Sequence, residues 1–143
     1  FDRMLFSSMM YPADYGFIPE TLALDGDPLD VLVLATEPTF PGCVMEIKPI
    51  GVFHMADEKG PDEKIICVPM SDPIWNKLND LSDMNPHQLK EIEHFFQVYK
   101  DLENKKVDVG GWGDVNEAKE IITQCVDRFE ALENRAADLF SIR

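Results

Sequence analysis

Asp25-Gly26-Asp27-Pro28-Leu29-Asp30 places three carboxylates within six residues, directly before the apolar run Val31-Leu32-Val33. Asp25 and Asp27 are two apart and reach the same side of an extended segment, while a turn at Pro28 swings Asp30 back towards them. Carboxylates this close repel one another. Divalent cations relieve the repulsion and hold the groups ionised, so the spacing is that of a site for hard metals. An Asp-rich turn before a strand reads equally well, because Asp, Gly and Pro are all favoured turn residues.

A second acidic group, Asp57-Glu58-Lys59-Gly60-Pro61-Asp62-Glu63-Lys64, occupies what reads as a hairpin loop. It lacks the spacing and distal Glu of a calcium-binding EF-hand, and taken alone it is a solvated loop. Brought to the same end of a sheet as the first group, it would concentrate carboxylates that only metal makes tolerable. Arg3, Tyr11, Tyr15, Tyr99 and Lys100 could bind phosphoryl oxygens through guanidinium, ammonium and phenol donors. Each is also compatible with ordinary packing, Tyr99 above all, since it continues an apolar helical stripe. His54, His87 and His94 show no metal-binding spacing, and neither G-x-x-x-x-G-K-[ST] nor G-x-G-x-x-G occurs.

The elements that must position these residues divide the chain into strands first and helices second, an α+β order. Strands are expected over Val31 to Ala35, Val44 to Met55 and Lys64 to Val68, with a bend or bulge at Pro49 and Gly51. Asn85-Pro86 opens a helix whose inward stripe is Leu89, Ile92, Phe95, Phe96, Tyr99 and Leu102. A second helix is expected from Val115 into the 130s, with Ala118, Ile121, Ile122, Cys125, Phe129 and Leu132 inward. Gly110-Gly111-Trp112-Gly113 between them reads as a loop, and the tail after Glu133 as ragged.

A chain of 143 residues, 45% of them hydrophobic, supports a single domain spanning 1–143. With 13 Lys and Arg against 27 Asp and Glu the net charge is −14, and no basic stripe marks a nucleic-acid partner. No run approaches ~18 consecutive apolar residues, so no membrane helix is expected. Three scattered cysteines, Cys43, Cys67 and Cys125, suggest neither a disulfide framework nor a zinc site, and fit the cytoplasm.

Asp25-Gly26-Asp27-Pro28-Leu29-Asp30-Val31 resembles the signature D-[SGDN]-D-[PE]-hydrophobic-D-hydrophobic of the family I soluble inorganic pyrophosphatases, of the short bacterial type. The resemblance continues in Asp2-Arg3, Tyr11-Pro12, Tyr15-Gly16, Pro49-Ile50-Gly51-Val52, Asp57-Glu58, Asp62, Lys64, His94-Phe95-Phe96, Tyr99-Lys100-Asp101-Leu102-Glu103 and Gly111-Trp112. It covers about nine-tenths of the chain in the family's order, which a chance match to a short motif does not do.

The resemblance implies an OB-like five-stranded β-barrel flanked by two C-terminal helices, assembled as a hexamer, hydrolysing inorganic pyrophosphate with several Mg²⁺ per active site. It implies that Asp25, Asp30, Asp57 and Asp62 hold metal and that Asp27 is the base beside the attacking water. Arg3, Tyr15, Tyr99 and Lys100 would grip the phosphates, with Lys64 catalytic and Tyr11 and Glu58 near the site. The family carries an N-terminal arm with further site residues ahead of the Asp-Arg position. The expectation is therefore an N-terminally truncated chain, with a truncated or inactive domain that binds metal and polyanions as the alternative to a working enzyme.

Overall fold

The computed structural model describes residues 13–102 and 108–141, with the backbone alone at 100–102, 108–109 and 140–141. Six strands precede or separate two long helices: β1 (Asp14–Ile18), β2 (Leu29–Val33), β3 (Ile47–Asp57), β4 (Gly60–Pro61), β5 (Lys64–Pro69), α1 (Pro86–Leu102), β6 (Asp108–Gly113) and α2 (Val115–Ser141). The sheet is mixed. β1 runs antiparallel to β2, β2 parallel to β5, and β3 antiparallel to β4, β5 and β6. The class is the expected α+β, with six strands described where five were expected, the sixth count resting on the two-residue β4.

β2 and β5 are buried on both faces, which is why they read as continuous apolar runs rather than alternating ones. One face packs Leu32, Leu34, Ile66 and Val68 against Phe53, Ile92, Phe95 and Phe96, and so against α1. The other packs Val31, Val33, Ile65 and Cys67 against Ala118 and Cys125 of α2. Asn85 caps α1, its Oδ1 accepting from His87 N at 2.9 Å, and Asp114 caps α2 by accepting from Glu117 N at 2.9 Å.

Several elements differ from the sequence reading. β1 is a strand because it has β2 as a partner, a reason invisible in its own residues. Gly110 to Gly113 belong to β6 rather than to a loop. Their pairing with β3 shifts register between His54 and Met55, and Gly111 takes a φ of +91° that admits the shift. α2 continues to Ser141 instead of fraying after Glu133, and Leu132 is exposed rather than inward. The irregularity expected at Pro49 and Gly51 is present as a register shift between β3 and β5.

Gly51 also lets a short 3-10 turn, Leu81–Asp83, sit down on β3. A Cβ at Gly51 would stand 2.2 Å from Leu81 Cγ and 2.6 Å from both Cδ atoms. Asp80 caps that turn, and its Oδ1 accepts from Val115 N of α2 at 3.0 Å, so the turn has little freedom to withdraw. Gly51→Ala is expected to cost about 1–3 kcal/mol, the usual range for overpacking. Denaturant unfolding should show a lower midpoint at unchanged slope. An unmoved midpoint would mean that Leu81 swings aside.

Candidate functional site

Side-chain alternation along β2 and β5 builds the site. On β2 the residues facing α1 are Asp30 and Leu32, continued by Leu34; on β5 they are Lys64, Ile66 and Val68. Asp30 and Lys64 are register partners in the parallel pair, so the apolar file on this face ends in a carboxylate beside an ammonium. Asp62 lies two residues before Lys64, on the same face. Its N–H donates to Met55 O at 2.8 Å, which keeps it in line with the β3–β4 hairpin. Tyr15 arrives from β1, opposite Leu32.

Lys64 is the hub of this group. Its Nζ donates to Asp30 Oδ2 at 2.6 Å, to Asp62 Oδ1 at 2.8 Å and to Tyr15 Oη at 2.9 Å, which uses all three ammonium protons. Only 4% of its side chain is exposed, against 22% for Asp30 and 12% for Asp62. Burial alone would lower the pKa of Lys64, but Tyr15, Asp30 and Asp62 outweigh it and raise it, so this residue is a fixed cation. Burial raises the Tyr15 phenol well above its ordinary value and keeps it a neutral donor.

The aspartate loop between β1 and β2 closes on itself. Thr21 is buried, donates to Ile18 O at 2.5 Å and accepts from Leu29 N at 2.9 Å. Within that clasp Ala23 N donates to Asp27 O, Gly26 N to Ala23 O, and Asp27 N to Asp25 Oδ1 at 3.0 Å. Gly26 has a φ of +90°. Burial raises the Asp25 carboxyl; the Asp27 N–H opposes this, and Asp62, Asp27 and Asp30 add to it. Asp30 is likewise raised by burial, partly countered by Lys64, with Asp62 raising it further. Asp25, Asp30 and Asp62 thus act on one another electrostatically, and Lys64 bonds two of them, Asp30 and Asp62.

Asp57 ends β3, and its Oδ1 accepts from Lys59 N at 2.8 Å across the hairpin turn, while Glu58 is exposed in that turn. Tyr99 is buried on α1, stacked on Phe95 with ring centroids 5.8 Å apart. Lys100 follows it on the helix backbone; its side chain, with Arg3 and Tyr11, lies outside the described residues. Two groups escaped the sequence reading. Glu63 alternates with Asp62 and Lys64 to the α2 side, where burial raises its carboxyl against the pull of His54 and Arg128. His54 Nε2 also pairs with Glu117 Oε1 at 2.6 Å. The clue was available: residues one apart on a strand take opposite faces.

Among the described residues no three His, Cys, Asp and Glu side chains form a ready-made metal cage. The donor set nevertheless fits a hard cation. Asp25, Asp30 and Asp62 offer only oxygen, carry an excess of negative charge over Lys64, and have two oxygens each, so the Lys64 bonds do not exhaust them.

The family model described as inorganic pyrophosphatase matches residues 1–130. An inorganic pyrophosphatase of Methanosarcina mazei is 57% identical over 129 residues, 90% of this chain and 76% of that protein. One from Halalkalibacterium halodurans is 52% identical over 90% of this chain and 79% of its own length. The crystal structure of inorganic pyrophosphatase from Thermus thermophilus superposes with a TM-score of 0.86 at 45% identity, covering 90% of this chain and 76% of that one.

Proposed function

Since the chain belongs to the inorganic pyrophosphatase family and shares the OB-like fold of its solved relatives, we propose that it hydrolyses pyrophosphate to two phosphates with Mg²⁺ held by its aspartates. The observation that carries the reading is the meeting of Asp30 and Asp62 on the buried Lys64, with Asp25 close enough to feel both carboxylates, in a chain matched by the family over 1–130.

In this reading Asp25, Asp30 and Asp62 would hold Mg²⁺, and Asp57 with Asp62 would hold a further cation brought by substrate. Such cations supply charge neutralisation of phosphate oxygens and Lewis acidity. Water attacks one phosphorus, the bond from that phosphorus to the bridging oxygen breaks, and the bridging oxygen leaves with the second phosphate. Asp27 takes the water's proton; its carboxylate is exposed, and its backbone is held beside Asp25 by the loop's own hydrogen bonds. Lys64, its three protons committed to Asp30, Asp62 and Tyr15, acts as a fixed positive charge rather than as a donor to substrate, and a preorganised charge acts most strongly where water is excluded. Arg3, Lys100 and Tyr99 are assigned to the phosphates and Tyr11 and Glu58 to the rim, each by resemblance. A single domain over 1–143, a hexamer and a cytoplasmic setting complete the proposal. Three free thiols and the absence, among the described residues, of a helix long and apolar enough to cross a membrane accord with that setting.

Phosphate release from pyrophosphate should require Mg²⁺ and stop in excess chelator while the circular dichroism spectrum persists. Undiminished release in chelator would remove the metal from the mechanism, and no release under any condition would leave only a binding domain.

A further inference from the structure

Leu22, three residues before Asp25, is fastened to α2 by both of its backbone groups. Its N–H donates to Cys125 O at 3.0 Å, and its carbonyl accepts from Arg128 Nη1 at 2.5 Å. The same Nη1 lies 3.8 Å from Cys125 Sγ, and the two side chains stand three apart on one helical face. A helix-interior carbonyl such as that of Cys125 already accepts within the helix, so the Arg128 bond is the side-chain half of this clasp. From Leu22 the restraint passes on through Ala23, whose N–H and carbonyl both close the aspartate loop, to the Asp27 N–H that donates to Asp25.

The charge around the clasp has the same logic. Glu63, on the α2 side of the sheet, is attracted by His54 and Arg128 and repelled by Asp62 and Asp25. Arg128, beside Cys125 on α2, lies on the face of the sheet opposite Lys64. It touches neither Asp25 nor the face on which Asp30 and Lys64 meet.

We propose that Arg128 is a positioning residue: by holding the Leu22 carbonyl on α2 it fixes the loop that presents Asp25 to a divalent cation. This rests on the reading of Asp25 as a metal ligand. Removing an outer support of a ligand commonly weakens metal affinity by about 10–100-fold, and a backbone-mediated support belongs at the lower end of that range.

The test is a Mg²⁺ titration of the full chain without pyrophosphate, read by calorimetry and by the cation-induced rise in melting temperature. Arg128→Met keeps the apolar stem and removes the donor. Its midpoint should rise about tenfold, while kcat at saturating Mg²⁺ stays close to the parent's. Arg128→Lys, which retains a donor and the charge, should recover most of the affinity. Arg135→Ala removes a cation from the exposed part of the same helix and should leave the midpoint alone. A parental midpoint in Arg128→Met, accompanied only by a lower melting temperature, would overturn the proposal. Should Arg128→Met fail to fold, Arg128→Leu, which likewise carries no donor, is titrated in its place against the same two outcomes. Asp25→Ala separates the two levels. If it leaves the midpoint unchanged, the ligand assignment itself fails; if it shifts the midpoint and the Arg128 variants do not, only the positioning role fails.

Discussion

Asp27→Asn is expected to lower turnover by about two orders of magnitude or more while the Mg²⁺ dependence keeps its midpoint, since loss of a general base commonly costs 10²–10⁴-fold. The substitution is nearly isosteric, and the loop uses the backbone of Asp27, whose N–H donates to Asp25 and whose carbonyl accepts from Ala23. The fold and the neighbouring ligand should therefore survive. Asp30→Ala is the counterpart. Asp30 is half-buried on β2 and bonded to Lys64, so its loss should move the Mg²⁺ midpoint upward. Titration curves of the same midpoint for the two variants would refute the division into base and ligand.

The second large effect concerns the ammonium at the centre. Lys64→Met leaves Asp30 and Asp62 buried without their shared cation, and removing one partner of a buried pair commonly costs about 3–5 kcal/mol. Met fills much of the same volume, so little of that loss should come from packing. In metal-free solution at neutral pH the variant should unfold at a much lower denaturant concentration than the parent. Saturating Mg²⁺ should narrow the gap, because a divalent cation among the same oxygens supplies the missing charge. A deficit of the same size with and without Mg²⁺ would show that Lys64 stabilises the fold independently of any metal.

What was legible in the sequence was local. Asn85-Pro86 and the apolar stripe from Leu89 to Leu102 gave α1 nearly to the residue, because capping and periodicity act within a few turns. Pro49 and Gly51 marked the irregularity in β3 for the same reason. The resemblance carried the choice of aspartates, which spacing alone left open. The strands β1 and β6 were not legible, since each is a strand by virtue of its partner, and the glycines of β6 argue against one until β3 is beside them. Leu132 was placed inward by period alone, but it is exposed, as are the described side chains of α2 from 130 to 139. Arg128 could not have been linked to the aspartate loop by any local rule, its partner Leu22 being 106 residues away.

That separation bears on when the protein becomes competent during its own folding. Tyr15 and Lys64 are 49 residues apart, Asp30 and Lys64 34, and Leu22 and Arg128 106. Closing such long loops carries an entropic cost before any contact returns it, and topologies rich in distant contacts fold slowly. On the reading of Asp25, Asp30 and Asp62 as metal ligands, a partly folded chain would have strands and helices but no finished site. A cation that recognises only the finished arrangement draws the population towards it by mass action. A divalent cation bound by these aspartates would then act late in assembly, locking only molecules in which those distant partners have met.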